Sequence, residues 1–375
     1  MRSEIRSLTG LRGLAALWVM TGHYIRDAPA DPTVRFAINH MYIAVDLFMV
    51  LSGFVLAMSY DADFRVPLDG RRMGRFVLMR IARIYPVYAL SCIACVLLVV
   101  TGIGVWGPPD ISPLAVVLNL AMVQTWVAGH GSLNAVGWSI STEWAANLLF
   151  PLFGLLLMRP SLRWSTLAAA GALLVLVVFA AVGGRDGPDA PPVFGALTWY
   201  SYPGAMVRCL TEFMFGMFCW RLRRDAAWTS RLGTNWVLLP VVLAMAAMTL
   251  SKAMDLPFVL LACVTIVGFS YERSAVAAIF ASPLPRWLGT ISFSLYLWHL
   301  PLLPLEPAMV RLMGWLGTPD PWLIGNLALM LLVIALAGLS YRWIEKPAQR
   351  GLRRVFGLSG AHAKAVIDSR LSHPA

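Results

Sequence analysis

The sequence predicts an all-α protein, a polytopic membrane helical bundle of about ten transmembrane helices with a candidate re-entrant segment near 113–127. Three observations carry that expectation. Of 375 residues, 59% are hydrophobic and only 13% charged, where a soluble domain carries about 25% charge. The mean hydropathy is +0.70, and the apolar residues gather in runs near the roughly 20 residues that a membrane helix needs. The basic residues stand in short clusters between those runs, placed as the positive-inside rule requires.

In chain order the runs lie at about 8–25, 42–60, 84–104, 144–158, 164–183, 204–220, 235–251, 255–271, 287–312 and 321–344. The first follows Arg2, Arg6 and Arg12 as a signal peptide would. It ends on Thr21-Gly22-His23-Tyr24 instead of a small-residue cleavage site, so an uncleaved first span is expected. The connection after the second run holds Arg65, Arg71, Arg72, Arg75, Arg80 and Arg83, which puts it on the side of the N-terminus. The stretch at 113–127 is shorter and ends on Gln124 and Trp126. If it crossed, every later basic cluster would change sides. Left inside a long outer excursion over 105–143, it returns Arg159, the Arg221–Arg231 cluster, Arg273, Arg286 and the Arg342–Arg354 cluster to the inner face. Non-helical backbone at that depth is tolerated where protein buries it. Both termini are therefore expected in the cytoplasm. A membrane domain over 1–350 is expected to end in a polar cytoplasmic tail over 351–375.

The net charge of +11 is topological on this reading. No basic stripe is interleaved with aromatics as nucleic-acid binding would require, so no nucleic-acid partner is expected. Cys92, Cys95, Cys209, Cys219 and Cys263 all fall in apolar runs, and their odd number gives no disulfide framework. The Cys92-x-x-Cys95 pair is expected to be packing.

Ionisable residues inside spans are costly and are candidates for function. Arg12 and His23 lie eleven residues apart on the first helix, on one face and about 16 Å apart along the axis. They cannot touch, yet one elongated ligand could reach both. The plainer alternative makes Arg12 a snorkelling anchor and His23 a hydrogen-bonded residue at the membrane surface. Asp46 opens the second span at the depth where the first ends, which can set it beside His23 to orient the imidazole. It could equally serve the backbone at its own helix start. Arg80 and Arg83, three apart at the inner end of the third span, suit phosphate recognition, or form a topological cluster only. Glu143, in Gly137-Trp138-Ser139-Ile140-Ser141-Thr142-Glu143-Trp144, is either a capping carboxylate or part of a sugar-binding lip with Trp138 and Ser141. His299 sits in mid-span and is expected in a supporting role on the acceptor side. No Walker A loop, nucleophile elbow, His-Glu-x-x-His or metal-spaced Cys/His cluster is found, so no metal or prosthetic group is expected.

Taken in order, these motifs resemble the acyltransferase-3 family of bacterial membrane acyltransferases, from about Leu8 to Arg350. Leu11-Arg12-Gly13-Leu14-Ala15-Ala16 through His23 is similar to its opening signature, and Val45-Asp46-Leu47-Phe48 through Phe54 to its second helix. Arg80-x-x-Arg83-Ile84-x-Pro86 resembles its arginine pair, and Trp138-Ser139 through Glu143 its outer-loop motif. Ser292 through His299, and Tyr341-Arg342-Trp343-Ile344-Glu345-Lys346-Pro347, are similar to its last two helices. Ala145-Ala146-Asn147 departs from it, since relatives place aromatics there.

The resemblance implies a multi-pass inner-membrane enzyme with acyl-CoA, foremost acetyl-CoA, as donor substrate. It implies O-acylation of a carbohydrate such as lipopolysaccharide or exopolysaccharide, or of a small molecule such as a macrolide. No fused esterase-like domain is expected. On that footing Arg12, Arg80 and Arg83 would hold the donor, and His23 would act as general base or acyl relay. Asp46 or Glu143 would orient the ring, while Trp138, Ser141 and His299 would face the acceptor. The rival reading is a transporter or exporter of a lipid-linked sugar that uses the same charges as a path. It is weakened because no internal repeat is evident.

Overall fold

Runs of Leu, Val, Ala and Phe with few breakers form long helices, and in the computed structural model those helices build most of the described part of the chain. It describes residues 4–27, 31–65, 69–105, 109–127, 131–159, 161–182, 184, 192–197 and 202–357. In order the helices are α1 (Arg6–Tyr24), α2 (Pro32–Asn39), α3 (Ile43–Tyr60), α4 (Gly70–Val100), α5 (Pro113–Leu120), α6 (Gly137–Leu157), α7 (Leu162–Val182) and α8 (Tyr202–Asp225). Then follow α9 (Asn235–Met248), α10 (Asp255–Phe269), α11 (Ala275–Phe280), α12 (Pro283–Leu302), α13 (Glu306–Trp315), α14 (Pro321–Ser340) and α15 (Lys346–Val355). Among the described residues there is no strand, only an isolated bridge between Gly184 and Val193.

Every one of the ten expected runs is helical. Among the described residues seven helices are long and apolar enough to cross a membrane, or eight with the pair Ala227–Gly233 and α9, bent by 65°. The two others are α1 and α8, of 19 and 24 residues. Their polar residues lower their hydropathy, and in the middle of α8 Arg208 and Glu212 are buried against protein. The protein is an all-α, multi-pass membrane bundle. Lipid-side residues such as Trp236, Leu331 and Leu174 are exposed in turn, as expected where hydrocarbon is the solvent.

The segment at 113–127 does not cross. Its helix, α5, has eight residues, about 12 Å, and the chain then folds back against the bundle. Its backbone is satisfied by buried amides. Asn119 donates to the carbonyls of Ala115 and Gly131 and accepts from the Leu133 amide. Gln124 donates to Tyr88 Oη, Ser132 Oγ and the Gly137 carbonyl, and Asn134 to the Leu297 carbonyl. Irregular backbone so paired can lie at membrane depth.

Two close helix crossings set the geometry of the core. A Cβ on Gly289 of α12 would run into the Thr9 carbonyl of α1, and one on Gly13 into the Gly289 amide. Gly53 of α3 and Gly216 of α8 meet the opposing backbone in the same way. Small residues at a crossing let membrane helices approach closely enough for dispersion and polar contacts to hold them. All five cysteines are free, and Cys92 and Cys95 are simply buried in α4. The boundary expected at 350 falls inside α15, which packs along α4. The rest of the expected tail, from 358 on, lies outside the described residues.

Candidate functional site

The Gly13–Gly289 crossing lays α1 along α12, so a polar face of each helix meets the other. At one end Arg12 donates through Nε and Nη2 to the Gly289 carbonyl, at 3.3 and 2.9 Å. At the other end His23 meets His299, Nδ1 to Nε2 at 3.3 Å, with ring centroids 5.1 Å apart. Arg12 and His23 therefore share one face of α1, as their spacing requires.

Hydrogen-bond bookkeeping fixes both rings. His299 is fully buried and its Nδ1 lies 2.8 Å from the Tyr296 carbonyl. A carbonyl only accepts, so His299 Nδ1 carries the proton and its Nε2 the lone pair. His23 Nδ1 lies 3.0 Å from the Val19 carbonyl and must donate as well, shared between that oxygen and His299 Nε2. The lone pair of His23 is thereby placed on Nε2, the atom a base or acyl relay would use. Tyr24 adds a tie at the same level by donating to the His299 carbonyl at 2.6 Å.

The cationic end is built on α4. Phe76 stacks on Phe150 of α6 at 5.0 Å, and one turn further Arg80 reaches α6. Its Nε donates to Asn147 Oδ1 at 2.9 Å and its Nη2 to Glu143 Oε1 at 3.0 Å. Ser52 of α3 donates to the same carboxylate. Arg83 pairs with Glu345, which also accepts from Ser294 of α12 at 2.7 Å. Arg83 stands over the Phe293 ring at 5.1 Å. A single π turn over Tyr341–Glu345 joins α14 to α15 and leaves Glu345 buried; such turns recur at functional sites. Arg12 lies in the field of Arg83, Glu345 and Glu143. Two of the three guanidinium groups, Arg80 and Arg83, are thus paired with carboxylates, and Arg12 is held by the Gly289 carbonyl.

Between the two ends Tyr296 Oη and Ser139 Oγ are 2.8 Å apart. Gly289, Tyr296 and His299 fall within about 80° on α12 and mark successive levels of one polar seam, over about 15 Å, while Ser294 turns to another side, to Glu345.

Not every expected neighbour is present. Asp46 is fully buried, but its ion pair is with Arg208 of α8, at 3.1 Å, beside Glu212. Glu143 faces Arg80. The orientation of His23 comes from the Val19 carbonyl and His299 instead of a carboxylate. Ser141 is buried and accepts from Thr125 Oγ1 at 2.7 Å, so it anchors the folded-back segment. Trp138 packs against Val45, Met49 and Cys209. Nor was a direct contact between His299 and His23 foreseen.

Sequence reasoning passed over Arg208 and Glu212, although their i,i+4 spacing within an apolar run was a usable signal. It also passed over His40 and Asp255, both fully buried, which pair at 2.7 Å while Tyr42 Oη and the Leu197 amide donate to Asp255. Among the described residues no group of His, Cys, Asp and Glu could hold a metal ion.

The acyltransferase domain family matches residues 5–342. The chain is 28% identical to acyltransferase MdmB of Streptomyces mycarofaciens, over 94% of this chain and 93% of that one. It is 27% identical to YrhL of Bacillus subtilis, provisionally named a peptidoglycan O-acetyltransferase, over 92% of this chain and 54% of the other. It is 22% identical to the peptidoglycan O-acetyltransferase OatA of Listeria monocytogenes, over 93% of this chain and 56% of that protein. No solved structure is a significant match. These likenesses favour group transfer over export of a lipid-linked sugar. The chain belongs to the acyltransferase domain family, known also as acyltransferase-3, and is a multi-pass membrane acyltransferase.

Proposed function

We propose that the protein is an inner-membrane O-acyltransferase that moves an acyl group, foremost acetyl, from acyl-CoA to a hydroxyl of a carbohydrate or related secreted acceptor. The observation that carries this reading is the His23–His299 pair, which holds a basic ring nitrogen at the end of a polar seam whose other end is cationic. The relatives named as peptidoglycan O-acetyltransferases support a carbohydrate acceptor, and MdmB, matched over nearly its whole length, supports a small-molecule one.

His23 Nε2 accepts the acceptor O–H proton while the oxygen adds to the thioester carbonyl. Collapse of the adduct breaks the C–S bond, and the imidazolium returns the proton to the departing thiolate. Ester and free thiol are the products. A positioned base of this kind contributes about 10²–10⁴-fold. His299 holds the tautomer, accepting from Nδ1–H before and after the ring is charged. Arg12, Arg80 and Arg83 line the donor end. With both termini in the cytoplasm, that end opens inward and His23 lies toward the acceptor side.

The test is thiol release by purified protein in detergent, supplied with acetyl-CoA and a panel of glycan and macrolide acceptors. Acceptor-dependent free thiol with matching acceptor mass gain is expected. No thiol and no acylated product with any acceptor would remove the reading. An acyl-imidazole relay on His23 is the second form of the same chemistry. Labelled acetyl-CoA without acceptor would leave label on the protein, dependent on His23, only if the relay operates.

A further inference from the structure

The residues first expected to hold the donor's phosphates are already engaged. Arg80 is paired with Glu143 and Arg83 with Glu345, and their side chains are only 15% and 28% exposed. An incoming phosphate would have to displace a carboxylate that the fold itself supplies. Two arginines nearer the start of α4 are differently placed. Arg75 lies five residues before Arg80, about 7.5 Å along the helix. Arg353 lies on α15, which packs along α4. Neither is in an ion pair among the described residues. Arg353 Nε is enclosed and has no hydrogen-bond partner. Arg75 stands eight residues before Arg83 and Arg353 eight residues after Glu345, so with Arg83 and Glu345 paired and α15 packed along α4 the two lie at one level, about 12 Å from that pair. The π turn that sends Glu345 to Arg83 also sets the direction of α15, and with it Arg353.

From this arrangement we infer that Arg75 and Arg353 form an outer arginine tier that binds the phosphate groups of the donor's nucleotide end. Arg80 and Arg83, neutralised by Glu143 and Glu345, line the passage for the uncharged pantetheine arm. The inference rests on the acyl-CoA reading above. The chemistry fits: a guanidinium fork bonds phosphate bidentately and keeps its charge in an enclosed site. Phospholipid headgroups share the phosphate chemistry, so the test has to separate the two sources.

The experiment compares acetyl-CoA with S-acetylpantetheine, which lacks every phosphate, on protein in nanodiscs with and without anionic lipid. Arg75→Ala and Arg353→Ala are each expected to raise the KM for acetyl-CoA about ten- to a hundredfold. kcat should stay near the parent value, and kinetics with S-acetylpantetheine should not change. Arg353→Lys should recover part of the loss, and Arg354→Ala, on the exposed side of α15, should have no effect. Unchanged acetyl-CoA kinetics in both alanine variants would overturn the inference and leave the acyl-CoA reading standing. Equal losses with both substrates would overturn it as well, since they would mark a structural role. Losses that follow removal of anionic lipid instead of the donor's phosphates would reassign the tier to headgroups. A parent protein that neither binds nor turns over acetyl-CoA would sink the acyl-CoA reading itself.

Discussion

His23 Nδ1 and His299 Nε2 face each other at 3.3 Å across the α1–α12 crossing, each ring also tied to a backbone carbonyl of its own helix. The arrangement does with two neutral rings what a carboxylate and a histidine do in a hydrolase triad: the inner ring fixes the tautomer of the outer one. It follows that His299 is a positioning residue. His299→Ala should lower kcat by about 10²-fold while leaving the donor KM within a factor of a few. His299→Gln, whose amide oxygen can accept from Nδ1–H, should recover part of the loss. A fall in thermal stability with no fall in kcat per folded molecule would count against this role.

Arg80 and Glu143 form a mostly buried pair at 3.0 Å. Removing one partner leaves the other charged and enclosed. Arg80→Met and Glu143→Gln should each destabilise the detergent-solubilised protein by roughly 2–3 kcal/mol. The double variant should cost less than the two singles together, and a thermal-shift cycle measures the difference. Strict additivity would show that the pair is not coupled.

The α1–α12 crossing depends on Gly289, because any Cβ there meets the Thr9 carbonyl. Gly289→Val should abolish the monodisperse folded peak in size-exclusion chromatography. Gly171→Ala in α7, where a Cβ meets nothing within 4 Å, should leave it unchanged within about 0.5 kcal/mol. Equal yields from both variants would contradict the packing described.

The bundle was legible in the sequence because lipid makes the apolar run the dominant signal, and all ten runs are helices. The non-crossing of 113–127 was legible through arginine placement, a constraint that acts over the whole chain. The shared face of Arg12 and His23 followed from helical period alone. The pairings across helices were not legible. Asp46 goes to Arg208 and Glu143 to Arg80 because α8 and α6 pack where Gly53, Gly216 and the Phe76–Phe150 stack allow, and no local pattern encodes which helix neighbours which. The π turn that buries Glu345 was hidden for a related reason. One additional residue in a helical turn rotates everything beyond it, and hydropathy does not register the rotation.

Topology has its own check. Both termini are expected on the cytoplasmic side, with the 105–143 excursion opposite. Single cysteines introduced at 358 and at 110 into a cysteine-free background should differ in labelling by a membrane-impermeant maleimide on intact spheroplasts: 110 labelled, 358 protected until lysis. Labelling of 358 with protection of 110 before lysis would reverse the orientation assigned to the seam.

The most direct measurement is the rate of free thiol release from acetyl-CoA, in the presence of an acceptor that the parent protein acylates, by His23→Ala purified as a folded protein of unchanged donor affinity. A loss of at least about 10²-fold is expected. A rate equal to that of the parent protein would contradict the placement of the chemistry at His23.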